Sequence, residues 1–169
     1  MTPAASQTPM AGASVICSPW LGKIEVDQES ALFFSAGIPG FEDLRSMIPV
    51  EIPAHRPIVY LQSVESSEIC FVSLPVYVVD PGFRLRLSDE ERVLLQLPEL
   101  ADPVLGEDVL CLALLRRSGP AAGANPVWAN LAAAIVINLH NRLAVQCVPP
   151  AGASPCFRQL GEAGWTAAC

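Results

Sequence analysis

The chain has 169 residues, of which 51% are hydrophobic, enough apolar material for one core and about one domain. Its net charge of −7 gives no basic footprint for phosphate contacts, so nucleic acid is not expected as a direct partner. The longest apolar runs, Val109–Leu115 and Leu131–Ile137, fall far short of the roughly 18 residues that cross a membrane, so no membrane partner is expected.

Charge is unevenly spread. Residues 1–108 carry 16 acids and 6 bases, and residues 109–169 carry 1 acid and 4 bases. An acidic face on the first two thirds is an ordinary solubilising coat, or a surface that steers a basic protein partner. Residues before Lys23 lack both Lys or Arg and an apolar stretch longer than Val15-Ile16-Cys17, which predicts a cytoplasmic protein. Its six cysteines then read as free thiols, and their spacings contain no C-x-x-C pair for zinc or redox exchange. Cys70, Cys111 and Cys147 sit inside apolar strand candidates and are expected in the core.

In chain order, residues 1–19 are small, uncharged and proline-containing, which predicts a disordered tail. Strict alternation in KIEVD (Lys23–Asp27) predicts a half-exposed strand, and Phe33, Phe34 and Phe71 fall on strand candidates as core residues. PIVYLQSV from Pro57 and EICFVSLPVYVV from Glu68 flank the polar Glu65–Ser67 and read as a hairpin. FRLRL (Phe83–Leu87) repeats the alternation and predicts another strand. SDEERVLLQL then breaks it: Ser88 caps a short helix, Glu91 is its capping-box partner, and Val93, Leu94 and Leu97 form its apolar side. Asp89, Glu90 and Glu91 occupy the first turn, where the helix dipole favours acids. DVLCLALL from Asp108, AAAIVIN from Ala132 and LAVQCV from Leu143 are strands, the last two joined through a tight turn with Asn141 in the left-handed conformation. The prolines after Val148 end the body, leaving residues 149–169 as a second tail in which Trp165 is a candidate to dock, while Trp128 reads as an apolar cap. The expected fold is all-β, a small antiparallel barrel-like domain over residues 20–148 with one short helix.

No catalytic constellation stands out. His140 lies seven residues before Cys147 across a hairpin, but nothing near in sequence supplies an orienting acid or an oxyanion hole. His55 has no second ligand at helical or strand spacing, so no metal is expected. Gly37 and Gly40 lack the Lys-Ser/Thr of a phosphate loop, and Pro39-Gly40 suits the two central positions of a type II turn. No cofactor is expected. A small-molecule-binding or enzymatic barrel whose cavity mouth is lined by His140, Cys147 or Glu42 is the alternative reading. An oligonucleotide-binding barrel needs basic and aromatic residues on one strand face, and Arg84 and Arg86 alone are too few.

Four segments in order, GIPGFEDL (Gly37–Leu44), LQSVES (Leu61–Ser66), ICFVSLPVYVV (Ile69–Val79) and ANLAAAIVIN (Ala129–Asn138) followed by Gln146, resemble the bacterial flagellar assembly factor FliW family over about residues 20–148. Ala134 stands where that family usually has proline, and Ala144 where a glycine is common. The resemblance implies a small non-enzymatic β-barrel-like chaperone. Its partners would be flagellin and, when flagellin is scarce, the translational regulator CsrA, which it keeps from repressing flagellin messenger RNA. Among the motif residues, Gly37, Gly40, Asn130 and Asn138 suit turns and strand ends, Phe71 and Leu131 the core, and Gln62, Ser63 and Gln146 polar places within strands. Phe41, Glu42 and Asp43 combine an aromatic anchor with charge and are the expected partner contacts, together with Asp89, Glu90 and Glu91.

Overall fold

A computed structural model describes residues 13–99, 101–117, 126–148 and 156–160. Ten strands and two short helices follow one another: β1 (Ala13–Ser18), β2 (Gly22–Asp27), β3 (Leu32–Phe33), β4 (Ser46–Val50), β5 (Val59–Ser63), β6 (Cys70–Pro75), α1 (Val76–Val79), α2 (Asp89–Leu95), β7 (Val109–Arg117), β8 (Val127–Asn138), β9 (Ala144–Gln146) and β10 (Phe157–Leu160). Eight strands form one antiparallel sheet in the order β10-β8-β7-β6-β5-β4-β3, with β9 beside β8. A parallel bridge from Phe33 to Leu143 brings the β3 edge to the strand end before β9, so the sheet nearly closes into a barrel. The Phe33 N–H donates to the Arg142 carbonyl at 3.0 Å across that seam, which leaves little unpaired edge there. No described helix is long and apolar enough to cross a membrane.

The expected all-β barrel with a single capped helix is therefore the observed architecture, with several local differences. Ala13–Ser18, read from composition as tail, pairs with β2 residue for residue from Ala13–Asp27 to Ser18–Gly22. A hairpin needs little side-chain bulk when the ladder itself satisfies the backbone. Phe157–Leu160 of the second tail likewise joins the sheet by pairing with Val127–Asn130. Trp165 and Cys169 lie outside the described residues. Val76–Val79 leaves the strand as one helical turn, because Val76 and Val79, three apart, are both buried while Tyr77 and Val78 are exposed. Phe83–Leu87 keeps its alternating burial but joins no ladder; its apolar residues pack on the core and its arginines face out.

The core is divided in two. One cluster gathers Leu74, Val76, Leu95, Cys111, Ala129 and Val136 with α2 and the extended Phe83–Leu87; the other gathers Phe34, Ile38, Met47, Leu61, Leu112 and Ile135. Phe34 is buried and Phe33 is 46% exposed, since neighbours on a strand face opposite ways. In α2 the buried residue is Leu95 rather than Val93, which is 70% exposed. The helix ends at Gln96, whose φ of 53° turns the chain and removes Leu97 from the helical phase. In the β8–β9 turn the left-handed residue is Arg142, not Asn141, whose side chain instead accepts from the Leu143 N–H at 2.9 Å.

Strand β8 positions the rest. Between Leu112 and Leu114 of β7 the chain advances two residues, while the partner positions on β8 run from Ile135 back to Asn130, five residues. This bulge bends β8, so its first part pairs with β10 and its last with β9.

Candidate functional site

The loop Gly37–Leu44 is built from turns that fix which side chains reach solvent. The Phe41 N–H donates to the Ile38 carbonyl at 2.7 Å with Pro39 and Gly40 between them, and Gly40 has φ 86°, the left-handed third position that a type II turn requires. Gly37 has φ 73° and also lies where a Cβ would stand 2.5 Å from the Glu42 carbonyl oxygen, so the loop closes on itself only with glycine there. Ile38 is buried and anchors the loop to the second core cluster, while Phe41, Glu42 and Asp43 are exposed. The Phe41 ring meets Phe71 edge to face, centroids 5.3 Å apart, and keeps 39% of its surface in water. Glu42 accepts from the Gly40 N–H at 2.8 Å, and that bond holds its fully exposed carboxyl below the usual range. Arg45 ties the loop to the barrel: its guanidinium donates to the Ser35 carbonyl, and the Arg45 and Ser46 N–H groups donate to Glu65.

The polar motif residues serve neighbouring turns. Gln62 is buried, and its Nε2 lies within hydrogen-bond distance of the carbonyls of Ser67 and Ile69 at 3.1 and 3.0 Å, gathering the β5–β6 turn. Ser63 donates to Glu65 and accepts from the Ser66 N–H, both at 3.1 Å. Asn130 accepts from the Ala133 N–H and Gln146 donates to the Ala133 carbonyl, so together they hold the β8 bulge around buried Leu131. Asn138 donates to the Leu95 carbonyl at 2.9 Å and accepts from the His140 N–H, satisfying a helix-end carbonyl that has no partner within the helix.

At the helix start, Asp89 and Glu90 are exposed and Glu91 is half-buried and engaged. One Glu91 oxygen accepts from the Ser88 N–H at 2.7 Å, completing the capping box, and the other accepts from the Val148 N–H at 3.0 Å. The helix belongs to the first core cluster and the Phe41 loop to the second, so the two sets of expected contacts are mounted on different parts of the barrel.

The residues of the cavity reading are dispersed. His140 pairs with Asp108 at 3.2 Å, an acid that lies 32 positions away in sequence. Cys147 is half-buried beside Glu91, where burial first and the neighbouring carboxylate second push its thiol up to about 12. Burial likewise pushes Cys111 to about 12 and Cys70 to about 11, so these three are poor nucleophiles. Among the described residues no group of three or more His, Cys, Asp or Glu is placed to hold a metal. Trp20, which no sequence motif marks, reaches from the β1–β2 turn to donate to the Glu68 carbonyl at 2.8 Å.

A sequence model of the FliW protein family matches residues 16–154. The chain belongs to the FliW family. A FliW flagellar assembly factor of Caldicellulosiruptor bescii is 32% identical over 133 residues, 79% of this chain and 81% of that one. That of Pseudothermotoga lettingae is 38% identical over 135 residues, 76% of each chain, and that of Bacillus subtilis is 25% identical over 134 residues, 79% of this chain and 87% of its own. A crystal structure of the flagellar assembly factor FliW superimposes with a TM-score of 0.70 at 26% identity, covering 86% of this chain and 96% of the other. The family match thus takes in the second half of β1 and all of β2 to β9, and ends before β10 begins at Phe157.

Proposed function

We propose that this FliW-family chain is a non-enzymatic, cytoplasmic chaperone that binds flagellin and, when flagellin is scarce, a CsrA-type RNA-binding regulator. Exchange between the two partners would couple flagellin synthesis to assembly. The observation that carries this reading is the Phe41 loop, where an exposed aromatic edge stands beside two exposed carboxylates on a backbone fixed by Gly37, Gly40 and buried Ile38. Rigid aromatic anchors with adjacent charge favour protein recognition, since little conformational freedom is lost on docking. Asp89 and Glu90 add exposed acids, and the acidic first two thirds of the chain favours a basic regulator over RNA itself.

Calorimetric titration of the chain with flagellin and with CsrA from the same organism tests this. The variant Phe41→Ala/Glu42→Gln/Asp43→Asn keeps an oxygen for the Gly40 N–H and should bind at least about tenfold more weakly while remaining folded, its melting temperature lowered by the lost Phe41–Phe71 ring contact. Glu42→Gln/Asp43→Asn alone should weaken binding with an unchanged melting temperature. Absence of binding to either protein at micromolar concentration defeats the proposal.

A further inference from the structure

Among the described residues β10 is the last strand on its side of the sheet, and its ladder is with Val127–Asn130 of β8. It is also the one described strand of that sheet that lies beyond the family match, which ends at residue 154. Its hold is light. Phe157, Arg158 and Gln159 are exposed, and Leu160 is half-buried against the first core cluster. Arg158 reaches Asp80 at 3.5 Å with 54% of its side chain in water, an arrangement that contributes little. The strand beneath is held otherwise: β7 pairs with β8 along both of its ends, and Ala129 is buried in the core. β10 therefore opens locally at a lower free energy than the β7–β8 ladder.

When β10 lifts, the Val127–Asn130 edge presents unpaired backbone N–H and C=O groups, a template for another extended segment. The strand seated there shows which side chains that edge accepts. Phe157 and Gln159 lie on one face, Arg158 and Leu160 on the other, since neighbours on a strand alternate. The Arg116 guanidinium lies over the Phe157 ring at 5.2 Å, Asp80 receives the Arg158 guanidinium, and Leu160 joins Leu115 on the first core cluster. An aromatic residue, a cation next to it and an aliphatic residue two positions further on each meet a matching group.

We propose that the β8 edge at Val127–Asn130 is a docking site for an extended segment of a partner protein carrying that aromatic–cation–x–aliphatic pattern, and that β10 is a resident stand-in which the partner displaces. The resident strand competes at the high effective concentration of a segment on the same chain, so the edge opens only to a segment that matches it closely. The site is distinct from the Phe41 loop, which is anchored on the second core cluster, and it stands whether or not that loop binds flagellin or CsrA.

Two substitutions free β10 without touching β8. The Leu131 N–H donates to the Cys156 carbonyl at 2.9 Å, so the backbone of Cys156 faces β8 and that of Arg158, two positions on, faces it too. Arg158→Pro removes that ladder N–H, and Leu160→Asp places a carboxylate against the apolar core. Each variant, shown to be folded by far-ultraviolet circular dichroism, is titrated with a fluorescein-labelled peptide of residues 154–161 carrying Cys156→Ser, read by anisotropy. The peptide should bind either variant at least about tenfold more tightly than the unsubstituted chain, whose own strand holds the edge. Glutamate in place of the peptide's arginine should weaken it at least about fivefold. Random twelve-residue peptides displayed on phage and selected against Arg158→Pro should enrich the same pattern. In the unsubstituted chain the Arg158 and Leu160 amides should exchange hydrogen at least about tenfold faster than those of β7. The proposal is overturned if the peptide binds neither variant or binds the unsubstituted chain as tightly, if the glutamate peptide binds equally well, if the selection yields no such pattern, or if β10 is protected as strongly as β7. It is equally overturned if the unsubstituted chain is a dimer that both variants dissociate, since the strand of a second copy then fills the edge.

Discussion

Substituting alanine at Gly37 and, separately, at Gly40 distinguishes two reasons for a glycine within one loop. Both have a left-handed backbone, φ 73° and 86°, and an alanine there costs roughly 1–2 kcal/mol from the clash of Cβ with its own carbonyl. At Gly40 nothing lies within 4 Å of the new methyl, so that is the whole cost. At Gly37 the methyl would stand 2.5 Å from the Glu42 carbonyl oxygen and 2.6 Å from its Cα, distances that real carbon atoms do not adopt. The loop must open, loosening the Phe41–Ile38 and Leu44–Phe41 hydrogen bonds, each worth about 1 kcal/mol. The expected loss is about 3 kcal/mol at Gly37 against about 1 kcal/mol at Gly40. With a urea dependence of about 2 kcal/mol per molar, the unfolding midpoint falls by about 1.5 M for Gly37→Ala and about 0.5 M for Gly40→Ala. Equal midpoints for the two variants would refute the close-approach argument.

Three further outcomes follow from the same contacts. Asn138→Ala leaves the Leu95 carbonyl only the longer bond from Asn141 Nδ2 at 3.3 Å and frees the His140 N–H, and should lower stability by about 1 kcal/mol in urea titration, with α2 exchanging its amide hydrogens faster than β7. Iodoacetamide at pH 8 followed by mass spectrometry should label exposed Cys17 and Cys156 quickly, and Cys70, Cys111 and Cys147 only after denaturant is added. Because burial raises those three thiols, the folded state holds their protons more tightly than the unfolded chain. Their contribution is complete below about pH 9 and is lost as pH rises toward 12, so thermal melts should fall over that range, and Cys111→Val should flatten the fall.

What the sequence revealed depended on how locally each feature is determined. The capping box of Ser88 and Glu91 and the type II turn at Pro39-Gly40 involve contacts three residues apart, and both were legible. The strands were legible where alternation or β-branched runs continued into a ladder, as in β2, β5 and β7. Phe83–Leu87 shows the limit: alternation reports burial on one face, but a strand also needs a neighbour with free N–H and C=O groups, and that is set by the rest of the chain. The β8 bulge was hidden for the same reason, since Asn130 and Gln146 meet at Ala133 only after β9 has turned back. In the candidate site, the turn before Phe41 was legible, but whether the Phe41 ring packs inward or faces out was not, because its partner Phe71 lies on β6, far along the chain. The engagement of Glu91 by the Val148 N–H was not, because that partner lies 57 residues away.

The polar residues that mark the family motifs share one physical task in this chain. Gln62, Asn130, Asn138 and Gln146 each bind backbone groups where a regular ladder or helix is interrupted: the β5–β6 turn, the β8 bulge and the end of α2. A barrel of short strands has many such interruptions, and every buried N–H or C=O left open there costs free energy comparable to a lost hydrogen bond. Residues chosen for that task are tightly constrained in type, whereas a surface that meets a partner needs only shape and charge. The motifs therefore report the barrel more directly than they report its partners. Side chains that no turn requires, such as the exposed edge of the Phe41 ring, are free to differ between barrels with the same motifs. Swapping the Gly37–Leu44 loop between this chain and the Bacillus subtilis relative should then transfer partner preference and leave the urea midpoint of each barrel within about 0.5 M of its own value. A transferred stability with an untransferred preference would place recognition elsewhere on the barrel.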